Sequence, residues 1–178
     1  KVSSSIGKEL DSLADVITFG FAPAKMVFSW LRECADAHLD MLIAFAMPFV
    51  AFLLVAFSAL RLAKFNVDER QTSSFIGLPT PANALFWGAL VIGSHDAIVG
   101  QPYGWVLVLG LVLLFSWLLV AEIPMFSLKF KNLSWKCNRI VYIFLLVSLV
   151  LLIVLGLNGL SAVIGWYIIL SILTQKRA

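Results

Sequence analysis

Two carboxylates four residues apart, Asp11 and Asp15, lie in the stretch Gly7-Lys8-Glu9-Leu10-Asp11-Ser12-Leu13-Ala14-Asp15. On a helix, such residues lie on one face, about 6 Å apart along the axis, with Gly7 one turn before them. Like charges at this spacing repel each other, and a divalent cation with a preference for oxygen ligands removes the repulsion. The spacing therefore favours a metal site. The alternative is that these acids only start a helix, which suits Asp11 better than Asp15.

A second polar cluster, Arg61-Leu62-Ala63-Lys64-Phe65-Asn66, follows the second apolar run of the chain. Arg61 and Lys64 are three residues apart and therefore share a helix face. Carboxylates for a metal, together with cations for phosphate, are the groups that phosphoryl transfer requires. The alternative for the two cations is ordinary anchoring at the positively charged side of a membrane.

The elements that carry these clusters are predicted to be membrane-spanning helices. Of the 178 residues 61% are hydrophobic and 13% charged, the mean hydropathy is +0.98, and apolar runs approach the length of about 20 residues that a helix needs to cross a bilayer. The runs lack the alternation of barrel strands. We predict an all-α integral membrane protein with one transmembrane domain over residues 1–178. Six spans are predicted, at about residues 11–30, 41–60, 81–92 (extending at most to 99), 103–121, 140–157 and 160–173.

Local sequence signals suggest three irregularities in these spans. Gly20 and Pro23 predict a kink or break in the first span. Gly93-Ser94-His95-Asp96 is expected to interrupt the third, and Asn158-Gly159 to form the turn before the last.

The positive charges predict the orientation of the chain. With these spans, 11 of the 13 Lys and Arg residues fall on one side: Lys1, Lys8, Arg61, Lys64, Arg70, Lys129, Lys131, Lys136, Arg139, Lys176 and Arg177. That side, which also carries Asp11 and Asp15, is expected to be cytoplasmic. On the opposite side a second metal site is conceivable at Asp36, His38, Asp40, His95 and Asp96. Solvated loop residues need no such explanation, so it is the weaker hypothesis.

The motif G-x-x-x-D-x-x-x-D at Gly7, Asp11 and Asp15 resembles the second half of the signature of the CDP-alcohol phosphotransferase family. The full signature is D-x-x-D-G-x-x-A-R, eight residues, then this motif. Residues 19–24, 61–66 and 75–81 resemble the branch of the family that transfers to serine, the CDP-diacylglycerol–serine O-phosphatidyltransferases. The resemblance covers about residues 5–87, and Lys64 departs from it, since the family more often has Arg there. The first half of the signature is not within these 178 residues, so we expect two more helices upstream and no activity from this part alone.

The resemblance implies transfer of the phosphatidyl group from CDP-diacylglycerol to L-serine with release of CMP, a step of phospholipid biosynthesis. It implies a divalent cofactor, magnesium or manganese, held by Asp11 and Asp15, with Asp15 also acting as general base. Gly7 would leave room for the nucleotide. Arg61, Lys64 and Asn66 would bind the lipid phosphate or the serine carboxylate.

The resemblance also implies a homodimer, surrounded by membrane lipids in a prokaryotic inner membrane, with its active site facing the cytoplasm and no nucleic-acid partner. Two alternatives stay open. One is another member of the same family, with glycerol 3-phosphate or inositol phosphate as acceptor. The other is an ion-coupled transporter in which Asp11 and Asp15 bind the ion.

Overall fold

The structure is a computed structural model that describes residues 4–68, 75–126 and 135–174, and almost all of these are helical. Helices α1 to α8 span Ser5–Asp15, Ala22–Asp36, Met41–Ala46, Leu53–Val67, Thr80–Val99, Gly104–Val120, Trp135–Leu155 and Asn158–Leu173. Two short strands, β1 (Phe75–Ile76) and β2 (Pro124–Met125), pair antiparallel. The all-α prediction is confirmed for the described residues.

The first helical run continues from α1 into α2 through a π-helical segment, Val16–Phe21. Pro23 has no N–H to donate, and its ring would crowd the carbonyl four residues earlier in a regular α-helix. The wider π turn ends just before it and lets the run continue to Asp36. Of the predicted kink or break, the structure shows no break, and the local distortion that Pro23 requires takes the form of a π segment, a feature often found at functional sites.

The second helical run joins α3 to α4 through a 3₁₀ segment, Met47–Phe52, which has a proline, Pro48, in its first turn. The run extends to Val67, so Arg61, Lys64 and Asn66 lie on the last two turns of α4 rather than in a loop.

Helix α5 runs without interruption to Val99, so the predicted break at residues 93–96 is wrong. Gly93 and Ser94 instead form a close crossing with α8. Asn158 Nδ2 donates to the Gly93 carbonyl (2.9 Å), and Ser94 Oγ donates to Asn158 Oδ1 (2.9 Å). A Cβ at Gly93 would collide with the Asn158 side chain.

The turn before α8 also differs from the prediction. Gly156, with φ +57°, reverses the chain together with Leu157, and Asn158 and Gly159 are already the first residues of α8. Only glycine adopts such a φ without strain. The Asn158-Gly159 pair that was expected to form a turn is therefore helical. The side-chain amide of Asn158 hydrogen-bonds to Gly93 and Ser94 of α5.

The two strands hold the connection after α4 against the connection after α6. Phe75 pairs with Met125 and Ile76 with Pro124. Gly77 follows with φ +78°, and a Cβ there would lie 2.8 Å from the Leu119 carbonyl oxygen. Its N–H donates to the Ile123 carbonyl (2.9 Å). Glycine is required at position 77, because any side chain there would push the segment after α4 away from the segment after α6.

The core lies between α2, α4, α5, α6 and α8, and the apolar side chains on the outside of α7 face away from it. Trp30 and Trp87 are fully buried, and the Phe86 and Phe115 rings stack at 3.9 Å. By contrast, Ile153 on α7 is 75% exposed, as expected for a lipid-facing side chain.

Three helices are long and apolar enough to cross a membrane: Met41–Val67, Thr80–Val99 and Asn138–Leu155. Gly104–Val120 and Asn158–Leu173 are apolar but shorter. These helices are those of a membrane protein. The count of six spans stays a prediction, since the first predicted span is not among these five.

Candidate active site

Gly7, Asp11 and Asp15 lie on successive turns of α1, as the sequence predicts. Asp11 is exposed and Asp15 half-buried. The Gly7 N–H donates to the side chain of the N-cap residue Ser4 (3.0 Å), and the only atom near a Cβ at Gly7 would be Ser4 Oγ, at 3.1 Å. This face of α1 therefore offers bare backbone and then two carboxylates.

The helix-start explanation does not account for either carboxylate. Helix α1 begins at Ser5 and has no acidic residue in its first turn, whereas the favourable effect of the helix dipole on an acid falls off within that turn. Asp11 lies in the second turn, and Asp15 is the last residue before the π segment. The alternative that these acids only start a helix therefore has no support.

Asp15 on α1 lies near the cationic end of α4. Arg61 is buried, with 7% of its surface exposed, while Lys64 is exposed. Asp15 is close enough to the Arg61 guanidinium to interact with it electrostatically, and the guanidinium also lies 5.8 Å from the centre of the Phe65 ring. Its Nε has no hydrogen-bond partner among the described residues.

Membrane anchoring explains Lys64 but not Arg61. An anchoring cation keeps its charged group in water or at the headgroups, whereas the Arg61 guanidinium is turned inward beside Asp15. A buried charge is costly unless it is paired and hydrogen-bonded. The burial of Arg61 is therefore consistent with an anionic group bound at this position.

Close contacts on both sides of Asp15 fix the register of α1 against α4. Asn66 Nδ2 donates to Ser12 Oγ (2.9 Å), and Lys8 Nζ donates to the Asn66 carbonyl (3.0 Å). On the membrane side, a Cβ at Gly20 would lie 3.1 Å from Ser58 Cβ. Asn66, predicted to bind substrate, thus uses its amide group to hold α1 in place.

A cavity of about 310 Å³ opens beside the cations. Its walls come from the end of α4, from β1 and from the connection after α6, and its lining is Arg61, Lys64, Val67, Asp68, Ile76, Leu119, Val120, Ala121 and Glu122. Neither Asp11 nor Asp15 lines it. Arg61 therefore lies between two adjacent regions, interacting with Asp15 on one side and lining the cavity on the other.

Sequence reasoning did not single out Glu122. The available signal was that Glu122 is the last acidic residue of the chain, in a region whose other charged residues are all basic. What places Glu122 at the cavity is the pairing of β1 with β2, which joins segments about 50 residues apart in sequence.

The donor chemistry of α1 fits magnesium or manganese. Mg²⁺ is commonly held by one or two carboxylates, with water and substrate phosphate completing its octahedron, and Asp11 and Asp15 supply two carboxylates on one open face. The described residues contain no cluster of three or more His, Cys, Asp or Glu side chains placed to share a metal ion.

The residues on the opposite side have other partners. His95 Nε2 lies 3.2 Å from Glu33 Oε2, its Nδ1 lies 2.9 Å from Asp96 Oδ1, and its ring stacks on Trp30. These contacts tie α2 to α5. With no cluster of metal-ligand type in the described segments, the outer metal site has no support.

Comparisons with known proteins agree with the motif and with the cationic cluster. A family model described as CDP-alcohol phosphatidyltransferase matches residues 1–123. A Helicobacter pylori (strain J99) protein named CDP-diacylglycerol–serine O-phosphatidyltransferase is 33% identical over 173 residues, which are 96% of this chain and 68% of the relative. A Bacillus subtilis protein of the same name is 35% identical over 82 residues (44% of this chain, 40% of the relative). An archaetidylserine synthase of Methanothermobacter thermautotrophicus is 39% identical over 79 residues (44% and 30%). The family model covers more than half of the chain, and the motif on α1 and the buried Arg61 agree with it. This chain therefore belongs to the CDP-alcohol phosphatidyltransferase family.

Proposed function

We propose that this chain transfers the phosphatidyl group from CDP-diacylglycerol to L-serine and releases CMP. The observation that carries the proposal is the position of Asp15 on the motif face of α1, close enough to the buried Arg61 to act on it electrostatically, with the cation-lined cavity adjoining. The relatives reported above are named for transfer to serine or for archaetidylserine synthesis. No reported name supports glycerol 3-phosphate or inositol phosphate as the acceptor.

In this proposal, CDP-diacylglycerol lies with its acyl chains in the bilayer and its diphosphate over the Gly7–Asp15 face of α1. Asp11 and Asp15 would hold the divalent cation, which when bound neutralises diphosphate charge and the charge that develops on the leaving CMP. Gly7 lets the nucleotide approach the backbone, since only Ser4 Oγ lies near the position of a Cβ.

Asp15 accepts the proton of the serine hydroxyl as its oxygen attacks the lipid-side phosphorus. The bond between that phosphorus and the bridging oxygen breaks, and CMP leaves with the bridging oxygen. Arg61 and Lys64 hold the serine carboxylate or the lipid phosphate, and Asn66 acts through Ser12 by keeping α1 in register. The serine proton on Asp15 passes to water before the next turnover.

We further propose that the site faces the cytoplasm of a prokaryotic inner membrane and that the chain forms a homodimer in the lipid bilayer. The charge bias of the sequence supports the orientation, and the family resemblance alone supports the dimer. An ion-coupled transporter is not favoured, because transporters bind their ions near the midplane between broken helices. Here both carboxylates lie at one end of a helical run that continues unbroken to Asp36.

The test is CMP release from CDP-diacylglycerol by a chain that carries both halves of the family signature, with L-serine, glycerol 3-phosphate or inositol phosphate as acceptor. We expect phosphatidylserine as the product, and no product when a chelator removes the divalent cation. Preference for a phosphorylated acceptor would overturn the proposed acceptor. Full activity in excess chelator would overturn the metal role of Asp11 and Asp15.

A further inference from the structure

The cavity beside Arg61 carries both signs of charge. Arg61 and Lys64 line it from the last two turns of α4, Asp68 follows at the end of that helix, and Glu122 lies on the connection between α6 and β2. Its volume of about 310 Å³ is at the lower end of the range of about 300–1,000 Å³ for small-molecule sites. A small ligand with separated positive and negative groups is therefore the kind that it fits.

The fold fixes the backbone around Glu122 closely. Two residues further on, Pro124 pairs with Ile76, and the Gly77 N–H donates to the Ile123 carbonyl. On the other side, the Leu78 N–H donates to the Leu118 carbonyl (3.0 Å). Glu122 is thus an exposed carboxylate on a segment whose backbone is hydrogen-bonded on both sides of it. These bonds keep Glu122 at the cavity.

Glu122 does not neutralise the cations across the cavity. The ion pairs found among the described residues are those of Arg32 and His95, and none joins Glu122 to Arg61 or Lys64. Opposite charges that line one cavity without touching leave space for a ligand that meets both. Arg61, which is buried, and Lys64, which is exposed, both line that space and supply its two cations.

Resting on the proposed function, we propose that Glu122 binds the ammonium group of the amino-acid acceptor and is a specificity-determining residue. The acceptor carboxylate binds Arg61 and Lys64, and its ammonium group faces Glu122.

The Glu122 carboxylate should also lower the affinity for the alternative acceptors. Glycerol 3-phosphate and inositol phosphate carry only negative charge, so Glu122 would repel their phosphate groups. A site discriminates both by attracting one ligand and by repelling its competitors. Glu122 does both here, because it is a carboxylate that shares the cavity with Arg61 and Lys64.

The experiment compares two acceptors that differ in the ammonium group alone, L-serine and 3-hydroxypropionate, in wild type and in Glu122→Gln. CMP release is measured on a chain with both halves of the signature, and slow acceptors are also measured as competitive inhibitors. In Glu122→Gln we expect kcat/KM for L-serine to fall about 10- to 100-fold, the effect of losing one charge-assisted hydrogen bond. Values for 3-hydroxypropionate and the KM for CDP-diacylglycerol should not change.

Asp40→Asn is the matched control. It removes one exposed carboxylate at the opposite end of the α4 run, before α3, and should leave both acceptors unchanged. An unchanged ratio of the two acceptors in Glu122→Gln, or an equal loss for both, would overturn the role of Glu122 while leaving serine transfer intact. Absence of phosphatidylserine in the wild-type reaction would instead overturn the proposed function, so the two failures are distinguishable.

Discussion

The burial of Arg61 distinguishes it from Lys64, although the sequence presents the two cations as equivalent. Taking a guanidinium out of water costs several kcal/mol unless its charge and donors are satisfied. Asp15 supplies part of that compensation, and Nε remains open in the described structure. The sequence predicts the pair of cations from their spacing. It could not predict which one is buried, since that depends on the π segment and α6, which pack against α4.

We expect Arg61→Ala to reduce kcat/KM by about 10²-fold or more, because it removes the buried cation that is proposed to hold an anionic group of the substrate. Lys64→Ala should have a smaller effect, because the exposed ammonium is already solvated. Arg139→Ala, an exposed cation on α7 away from the cavity, serves as the control and should have none. Steady-state kinetics of CMP release check this order. Equal and small losses in all three variants would make membrane anchoring the sufficient explanation for Arg61.

The two aspartates are expected to differ in their roles. Asp15→Asn should lower kcat about 10²- to 10⁴-fold while metal and CDP-diacylglycerol binding are largely kept, because an amide cannot accept the serine proton. Asp11→Asn should weaken metal and nucleotide binding together, since the site loses a full negative charge against a dication. Titration of metal and CDP-lipid on both variants separates the two cases. If Asp15→Asn loses metal binding as severely as Asp11→Asn, Asp15 is chiefly a ligand and the base is another group.

At the scale of the elements, the site depends on one helix crossing. Helix α1 and the π segment pack along α4, with Gly20 against Ser58 on the membrane side and Ser12 against Asn66 at the polar end. Asp15 lies between these contacts. Gly20 and Pro23 in the sequence predict a distortion, which the structure confirms. They do not reveal that the distortion is a π turn, or that Gly20 makes the closest approach to α4, because both depend on the partner helix.

Gly20→Ala is therefore expected to destabilise the protein by about 1–3 kcal/mol, the usual effect of overpacking, and to lower activity by shifting Asp15 relative to Arg61. Gly165→Ala on α8 is the matched control. No atom lies within 4 Å of a Cβ there, and alanine is favoured over glycine in a helix by about 0.5–1 kcal/mol. Thermal unfolding in detergent should show a lower midpoint for Gly20→Ala and an equal or higher one for Gly165→Ala. A midpoint for Gly20→Ala at or above that of wild type would show that the crossing tolerates a methyl group.

At the scale of the whole molecule, hydropathy and charge predict helices and their ends better than they predict connections. All six predicted spans fall on helices, because long apolar runs leave few alternatives in a bilayer. The errors at residues 93–96 and 158–159 have one cause. Glycine, serine and asparagine were interpreted locally as turn formers, whereas in the structure they form the contact between α5 and α8. The position of Glu122 was not predictable, since it depends on the pairing of β1 with β2.

The proposed orientation predicts opposite accessibility for the two ends of Met41–Val67. This run has 27 residues and would be about 40 Å long as a regular helix, enough to place its ends on opposite sides of a bilayer. Val67, at the Arg61 end, is 80% exposed, and Met41, at the other end, is 92% exposed.

Single cysteines are introduced as Val67→Cys or Met41→Cys in a chain whose natural cysteines are replaced by serine, Cys34→Ser and Cys137→Ser. A membrane-impermeant maleimide added to intact spheroplasts should label Met41→Cys and not Val67→Cys, and inside-out vesicles should show the reverse. The reverse result in both preparations would place Asp11, Asp15 and the cavity on the outer face. There they could not meet CDP-diacylglycerol and serine supplied from the cytoplasm, and the proposed orientation would be wrong.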